Sequence, residues 1–475
     1  MNTPLNKHLV QVILALPAFL VAFMVSAVNI ALPSIGKDFA MSAVMLNWVA
    51  TAYLLGTAIF LLPIGRIADI HGRKKIFILG LILFTLTTGL IALAPNAATL
   101  VILRFFQGAS CSMLAGPSIA IITSVFSSRQ RGQALGINIA AIYLGLSFGP
   151  FIGGLLTGHL GWRSIFTLTA PLGAVLVYLT CTRLSGEWAD ARGETLDYIG
   201  SVLYGLALVA FIYGLSLVPS AAGLWLICGA AAGFVVFVRW EQKTKYPVFD
   251  VNLFKKNRLF VFSNLTAMIH YCASFALIFL LSLYLQYIKE LTPQTAGSIM
   301  LAYPVLMALL TPSAGRLSDR IEPRLLVSTG MALTTLGIFG LIFLNENTSL
   351  ITIICILILM GMGYALFSSP NSNAVMSSVG RKHYGVASGV LSTMRLTGQM
   401  ISMATVLVLF SLYIGDEPIA VHTYPAFMKS MHTTFIIFTI LCTAGVFISL
   451  SRGEIHRDTR NTEDLPEEQA MGPVS

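Results

Sequence analysis

Apolar residues in this chain run in long, nearly unbroken stretches separated by short polar joints, from about position 10 to about position 451. A helix that crosses a bilayer needs about 20 predominantly apolar residues. Stretches of that length recur at 10–32, 45–65, 76–94, 99–122, 134–158, 164–183, 197–217, 221–239, 259–287, 294–315, 324–344, 348–370, 386–413 and 430–451. The pattern predicts an all-α polytopic membrane protein with fourteen spans.

The polar joints carry a repeat. GRIADIHGRKK begins at Gly65, GRLSDRIEPR begins at Gly315, and the two share glycine, arginine and aspartate at the same offsets: Gly65, Arg66, Asp69 and Gly315, Arg316, Asp319. A unit of helices containing this loop has been duplicated, as in many secondary transporters. In the first copy the loop follows span 2, and six spans end near Arg183. The same plan starts the second copy near Leu259, two spans before Gly315. The expected division is a six-helix bundle over 1–183, a linker with two inserted spans over 184–258, a second six-helix bundle over 259–451, and a polar, disordered tail over 452–475.

Composition supports this division and excludes other classes. Hydrophobic residues make up 56% of the chain and charged residues 10%, too apolar for a soluble core to bury. The net charge of +9 comes from bases scattered through short loops, which excludes a nucleic-acid binder. With both termini inside, only Lys37, Arg163, Lys289 and Lys429 of the 29 lysines and arginines fall in outer loops, and Arg104 and Arg395 lie within spans. That asymmetry predicts that both termini are cytoplasmic. The six cysteines form no CxxC pair and read as small hydrophobes, so neither a metal site nor a cofactor is expected.

Four further stretches carry a resemblance. Gly72, Arg73 and Lys74 complete the first charged loop. LRFFQG on span 4 supplies Arg104, Gln107 and Gly108. GLSFGPFIGG on span 5 supplies Gly145, Gly149, Pro150, Gly153 and Gly154. NIALPSI follows span 1, with Asn29, and GVASGVLSTMRLTGQ lies on span 13. In this order and spacing the chain resembles the major facilitator superfamily, and within it the fourteen-spanner drug/proton antiporters. The resemblance implies two six-helix bundles that rock about a midplane site. It also implies a gating role for the loop motif, including Gly315, Arg316 and Asp319, and a role for span 5 in limiting leak.

The residues themselves leave alternatives open. The basic loop serves as a gate or as a topology anchor; the aspartate in both copies favours the gate, because orientation alone needs none. The second copy departs from the motif, with Glu322 and Pro323 where the first has Gly72 and Arg73. Gly145, Gly149 and Gly153 share a helix face and predict tight packing between the halves, and Pro150 permits a bend. Arg104, costly within a span, either lines a cavity or bonds to backbone carbonyls; the cavity is preferred.

Polar residues at helical period mark the second half. On span 13, Ser388, Ser392, Arg395, Gln399 and Ser402 share one face. Span 9 has Asn264, Tyr271, Ser274, Ser282 and Gln286, with His270 at the edge, and span 12 has Tyr364, Ser368 and Asn371. Interhelical hydrogen bonding explains single serines; the set points to a water-filled cavity. The expected cavity residues are Asn29, Arg104, Gln107, Asn138, His270, Tyr271, Asn371, Arg395 and Gln399.

No Asp or Glu lies in the interior of a span. Cation exporters of the resembled family often carry an aspartate five residues before the asparagine of NIALP, where this chain has Met24. A cavity with arginines and no carboxylate predicts neutral or anionic substrates over organic cations. If a proton is the coupling ion, His270 and Asp69 are its candidate carriers. ATP drive is excluded by the lack of a G-x-x-x-x-G-K-[ST] loop. The expected function is secondary, non-enzymatic export of drug-like or amphipathic small molecules by a monomer in the lipid bilayer. A carrier of one anionic or neutral metabolite, or a non-transporting sensor, stands as the alternative.

Overall fold

The structure is a computed structural model describing residues 7–126, 128–189, 191–248, 257–318, 320–379 and 384–452. Asp319 and the tail beyond Arg452 lie outside the described residues. Fourteen helices among the described residues are long and apolar enough to cross a membrane: α1 (Lys7–Asp38), α2 (Ala43–His71), α3 (Arg73–Ala92), α4 (Ala97–Val125), α5 (Gln133–Leu160), α6 (Arg163–Arg183), α7 (Tyr198–Ser216), α8 (Ala221–Glu241), α9 (Arg258–Ile288), α10 (Pro293–Ser318), α11 (Pro323–Leu341), α12 (Leu350–Ser377), α13 (Ala387–Tyr413) and α14 (Val421–Leu450). Each apolar run corresponds to one helix. The largest departure is α14, which starts at Val421 rather than 430. Its first turns carry Lys429 and His432, which cap neighbouring groups: Lys429 lies 5.1 Å over the Tyr413 ring and His432 Nε2 is 2.7 Å from the Leu344 carbonyl oxygen.

Helix starts follow ordinary capping chemistry. Asn96, Ser349 and Thr292 each accept a hydrogen bond from the backbone N–H three residues on, at 2.9, 3.2 and 3.2 Å. One interruption matters for the site. Within α10 the helix breaks at Leu301, between Pro293–Met300 and Ala302–Ser318. Pro304 has no N–H to offer the Met300 carbonyl, so the ladder loses a bond there. Tyr303 sits at that break.

The duplication is visible in the packing. In the first bundle α1 packs on α5, α2 on α4, and α3 on α4 and α6. In the second, α9 packs on α13, α10 on α12, and α11 on α12 and α14, the same plan eight helices later. The bundles meet through two equivalent pairs, α5 with α10 and α2 with α13. The inserted α7–α8 hairpin packs on α2 and α13 at the outside of that seam. Its outer face is apolar and open, with Trp225 at 78% and Leu206 at 64% exposure, as a bilayer-facing surface requires.

The span 5 glycines correct one expectation. Gly145, Gly149 and Gly153 face α1 of their own bundle, not the other half; a Cβ at Gly153 would stand 2.8 Å from Ala27 Cα. The contact between halves is made one position on. A Cβ at Gly154 would meet the Pro293 carbonyl, and one on Gly297 the Pro150 carbonyl. Pro150 and Gly154 therefore join the bundles, and the other three glycines join α5 to α1.

Candidate functional site

Between the bundles lies a cavity of about 1210 Å³. α1, α2, α4 and α5 form one wall with Asn29, Tyr53, Thr57, Cys111 and Asn138; α9, α10, α12 and α13 form the other with Tyr271, Tyr303, Tyr364, Arg395 and Gln399. The cavity runs to Gly65, Arg66, Asp69 and Arg73 at one end, together with Pro247 and Val248. At the opposite end the halves are bonded together. Ser282 Oγ donates to the Asn29 carbonyl at 2.7 Å, and Gln286 Nε2 donates to the Ile30 carbonyl at 2.9 Å. Asn47 Nδ2 donates to the Met403 carbonyl at 3.3 Å. The site is sealed by backbone carbonyls at one end and open at the charged-loop end.

The polar face of α13 is the clearest feature of the wall. Ser388, Ser392, Arg395 and Gln399 all line the cavity. None of the four makes a hydrogen bond or ion pair to the described residues. The Arg395 guanidinium carbon lies 4.8 Å from the centre of the Tyr271 ring, a cation–π contact that leaves its N–H groups free for water or ligand. Ser402 departs from the stripe: its hydroxyl accepts the Ala276 N–H at 3.0 Å and binds α13 to α9.

The other two polar faces divide. On α9, Tyr271 and Ser274 reach the cavity, whereas Ser282 and Gln286 form the seal with α1. On α12, Tyr364 lines the cavity and donates to the Tyr271 hydroxyl at 2.8 Å. Ser368 meets the Tyr143 hydroxyl at 2.9 Å across the halves. Asn138 lines the cavity and donates to Ser118 Oγ at 3.1 Å.

Four expected cavity residues lie elsewhere. Arg104 is 2% exposed: its Nε donates to the Val49 carbonyl at 3.2 Å, its Nη1 to Gln107 Oε1 at 2.5 Å, and its cation lies 4.5 Å over the Tyr53 ring. Gln107 in turn donates to Thr88 Oγ1 at 2.7 Å. These two residues tie α4 to α2 and α3, with Tyr53 on the cavity wall in front of them. His270 is fully buried, stacked on Phe367 at 3.8 Å, and neither ring nitrogen has a hydrogen-bond partner among the described residues. Asn371 donates to the Ser263 carbonyl at 3.2 Å and accepts from Arg452 at 3.1 Å. In each case the helix face that looks polar in sequence is turned to a neighbouring helix.

Arg452 was expected to open a disordered tail; it is 2% exposed and fixed on Asn371. Burial pushes its guanidinium down to about 10, so it remains charged at neutral pH. Sequence offers no signal for this, since one arginine after a terminal span looks like any topology anchor.

The first charged loop is built against the connector that follows α6. Arg73 pairs with Asp69 at 2.7 Å and donates to Ser124 Oγ at 3.0 Å. Its backbone N–H donates to the Trp188 carbonyl at 2.8 Å, and that of Lys74 donates to Glu187 Oε1 at 2.9 Å. The Ala191 N–H donates to the Asp69 carbonyl at 3.0 Å, and Arg66 pairs with Glu194. Gly72 has φ +120, a conformation that suits glycine, and a side chain there would run into the Glu187 carboxylate. In the second copy, Arg316 is exposed and makes no hydrogen bond or ion pair to the described residues, and Gly315 packs on Ser369 of α12. Acidic Glu187 and Glu194 opposite a basic loop were the available sequence signal for the connector's role. The tyrosines Tyr53 and Tyr303 gave none beyond their place in spans.

Comparison with known proteins agrees with this architecture. The family model "Major Facilitator Superfamily" matches residues 14–403 and 263–470. The chain is 28% identical over 450 residues to the riboflavin transporter RibZ of Clostridioides difficile, covering 94% of this chain and 97% of that one. It is 30% identical over 383 residues to the multidrug resistance protein Stp of Mycobacterium tuberculosis, covering 79% and 71%. With the multidrug efflux pump LfrA of Mycolicibacterium smegmatis it shares 27% over 420 residues, covering 87% and 82%. A crystal structure of a bacterial homologue of the human lysosomal transporter Spinster, inward-facing and occupied, has the same fold, with a TM-score of 0.69 at 14% identity over 95% of this chain and 97% of that one. The chain is a membrane transporter that belongs to the major facilitator superfamily.

Proposed function

We propose that this chain exports amphipathic small molecules across the prokaryotic cytoplasmic membrane by alternating access, acting as a monomer with both termini inside. The observation that carries the reading is the cavity between the two bundles, open at the charged-loop end and closed at the other by the Ser282–Asn29 and Gln286–Ile30 bonds. A single central site with one open end suits rocking of one bundle against the other. The basic-loop bias makes the open end cytoplasmic. Relatives whose names denote multidrug efflux support export of varied compounds.

Closing the open end requires the loop at Gly65 to approach the second bundle, and the Arg66–Glu194 pair then competes with that approach. Of the two candidates for proton exchange, Asp69 lines the cavity and His270 does not, which favours Asp69. A second reading, transport of one metabolite, is favoured by the riboflavin transporter, whose likeness covers 94% of this chain.

Spin labels test the rocking motion. During substrate turnover, the distance between labels at Lys37 and Thr292 should lengthen while that between Lys75 and Ser377 shortens. Two invariant distances in protein that moves no compound across a proteoliposome would favour a non-transporting sensor.

A further inference from the structure

The second-bundle wall of the cavity combines three features that bear on what it can hold. The first is an unpaired cation, Arg395, on a polar face that makes no hydrogen bond to the described residues. The second is a corner of aromatic rings. Tyr271 and Tyr364 meet at 84° with centroids 5.9 Å apart, and Tyr303 and Tyr364 meet at 76° and 6.0 Å. All three rings line the same cavity as Arg395, whose guanidinium lies over the Tyr271 ring. The third is the charge balance. Among the described residues Asp69 is the sole carboxylate on the wall; it lies at the open end and is already paired with Arg73.

An arginine on a largely apolar cavity wall attracts an anion, and its fork of N–H donors fits a carboxylate or sulfonate in two-point contact. Perpendicular aromatic rings favour a flat ring system, by edge-to-face or stacked contact. The Tyr303 hydroxyl makes no hydrogen bond to the described residues and adds a donor at the break in α10. An organic cation would instead face Arg395 with no carboxylate at that depth to offset it.

We infer that the site selects flat aromatic molecules bearing one anionic group, with Arg395 holding the anion and the Tyr271–Tyr364–Tyr303 corner holding the ring. This rests on the transport reading above and specifies its substrate class. Neutral aromatic compounds bind through the rings alone, and aromatic cations are rejected.

Three probes of matched shape test the inference on the full-length protein in nanodiscs: 1-naphthalenesulfonate, 1-naphthalenesulfonamide and (1-naphthylmethyl)trimethylammonium, with binding followed by calorimetry. The sulfonate should bind at least tenfold more tightly than the sulfonamide, and the ammonium most weakly. Arg395→Gln should remove the preference for the sulfonate while the sulfonamide still binds, and Arg395→Lys should keep part of it. Tyr271→Leu should weaken sulfonate and sulfonamide alike. Equal or tighter binding of the ammonium by the unmodified protein would overturn the inference, as would a sulfonate preference unchanged in Arg395→Gln. The unmodified protein decides the matter even if a variant fails to fold. Counterflow in proteoliposomes separates the two readings. Anion-selective binding without any flux rejects transport and keeps the site, whereas flux that prefers the ammonium rejects the site and keeps transport.

Discussion

Two arginines sit deep within membrane-crossing helices, Arg104 in the first bundle and Arg395 in the second, and they solve the same problem in opposite ways. Arg104 is enclosed by the Val49 carbonyl, Gln107 and the Tyr53 ring, and is sealed from the cavity. Arg395 has the Tyr271 ring on one side and the cavity on the other, with no hydrogen-bond acceptor among the described residues. The first is a brace among α2, α3 and α4. The second is held ready for water or an anion. An intramembrane arginine is therefore a functional signal only when its donors are unspent.

That difference should separate under mutation. Arg104→Ala has the largest expected effect, because it leaves the Gln107 oxygen without its donor, removes a charged donor from the Val49 carbonyl and opens a void. It should cost about 3–5 kcal/mol of stability, read as a large drop in melting temperature in detergent. Arg395→Gln should leave melting nearly unchanged and weaken binding of an aromatic anion about tenfold or more, close to 1.4 kcal/mol or above. A stable Arg104→Ala protein, or an Arg395→Gln protein that melts far below the parent, would erase the contrast.

Smaller effects belong to the two ends of the cavity. Gly297→Val pushes a side chain toward the Pro150 carbonyl, so it should loosen the sealed end and lengthen the Lys37–Thr292 label distance. Glu194→Gln breaks a partly exposed pair with Arg66, so it should shift the balance toward the state closed at the charged-loop end by only about 0.2–1 kcal/mol. The Lys75–Ser377 label distance reads this as a modest change in population.

The fold was legible because the bilayer imposes one rule, about 20 apolar residues per crossing, on every span. The loops at Gly65 and Gly315 located the duplication, and the α1–α5 and α9–α13 packing shows the same repeat. The α13 stripe was legible as well, since four polar side chains at helical period have no other use. Periodicity could not tell a polar face turned to a cavity from one turned to another helix. Ser282 and Gln286 share a face with Tyr271 yet bond to α1, and Asn371 shares one with Tyr364 yet binds Arg452. That distinction depends on which helix stands opposite, a long-range fact that local pattern does not contain. The glycines of span 5 failed for the same reason: close packing was readable, its partner was not.

The most direct test is the ratio of anion flux to cation flux in proteoliposomes, measured with 1-naphthalenesulfonate and (1-naphthylmethyl)trimethylammonium for the parent, Arg395→Gln and Arg104→Lys. A ratio well above one that collapses in Arg395→Gln and persists in folded Arg104→Lys is the predicted result. A ratio that survives Arg395→Gln, or collapses in Arg104→Lys instead, would contradict the assignment of substrate selection to Arg395.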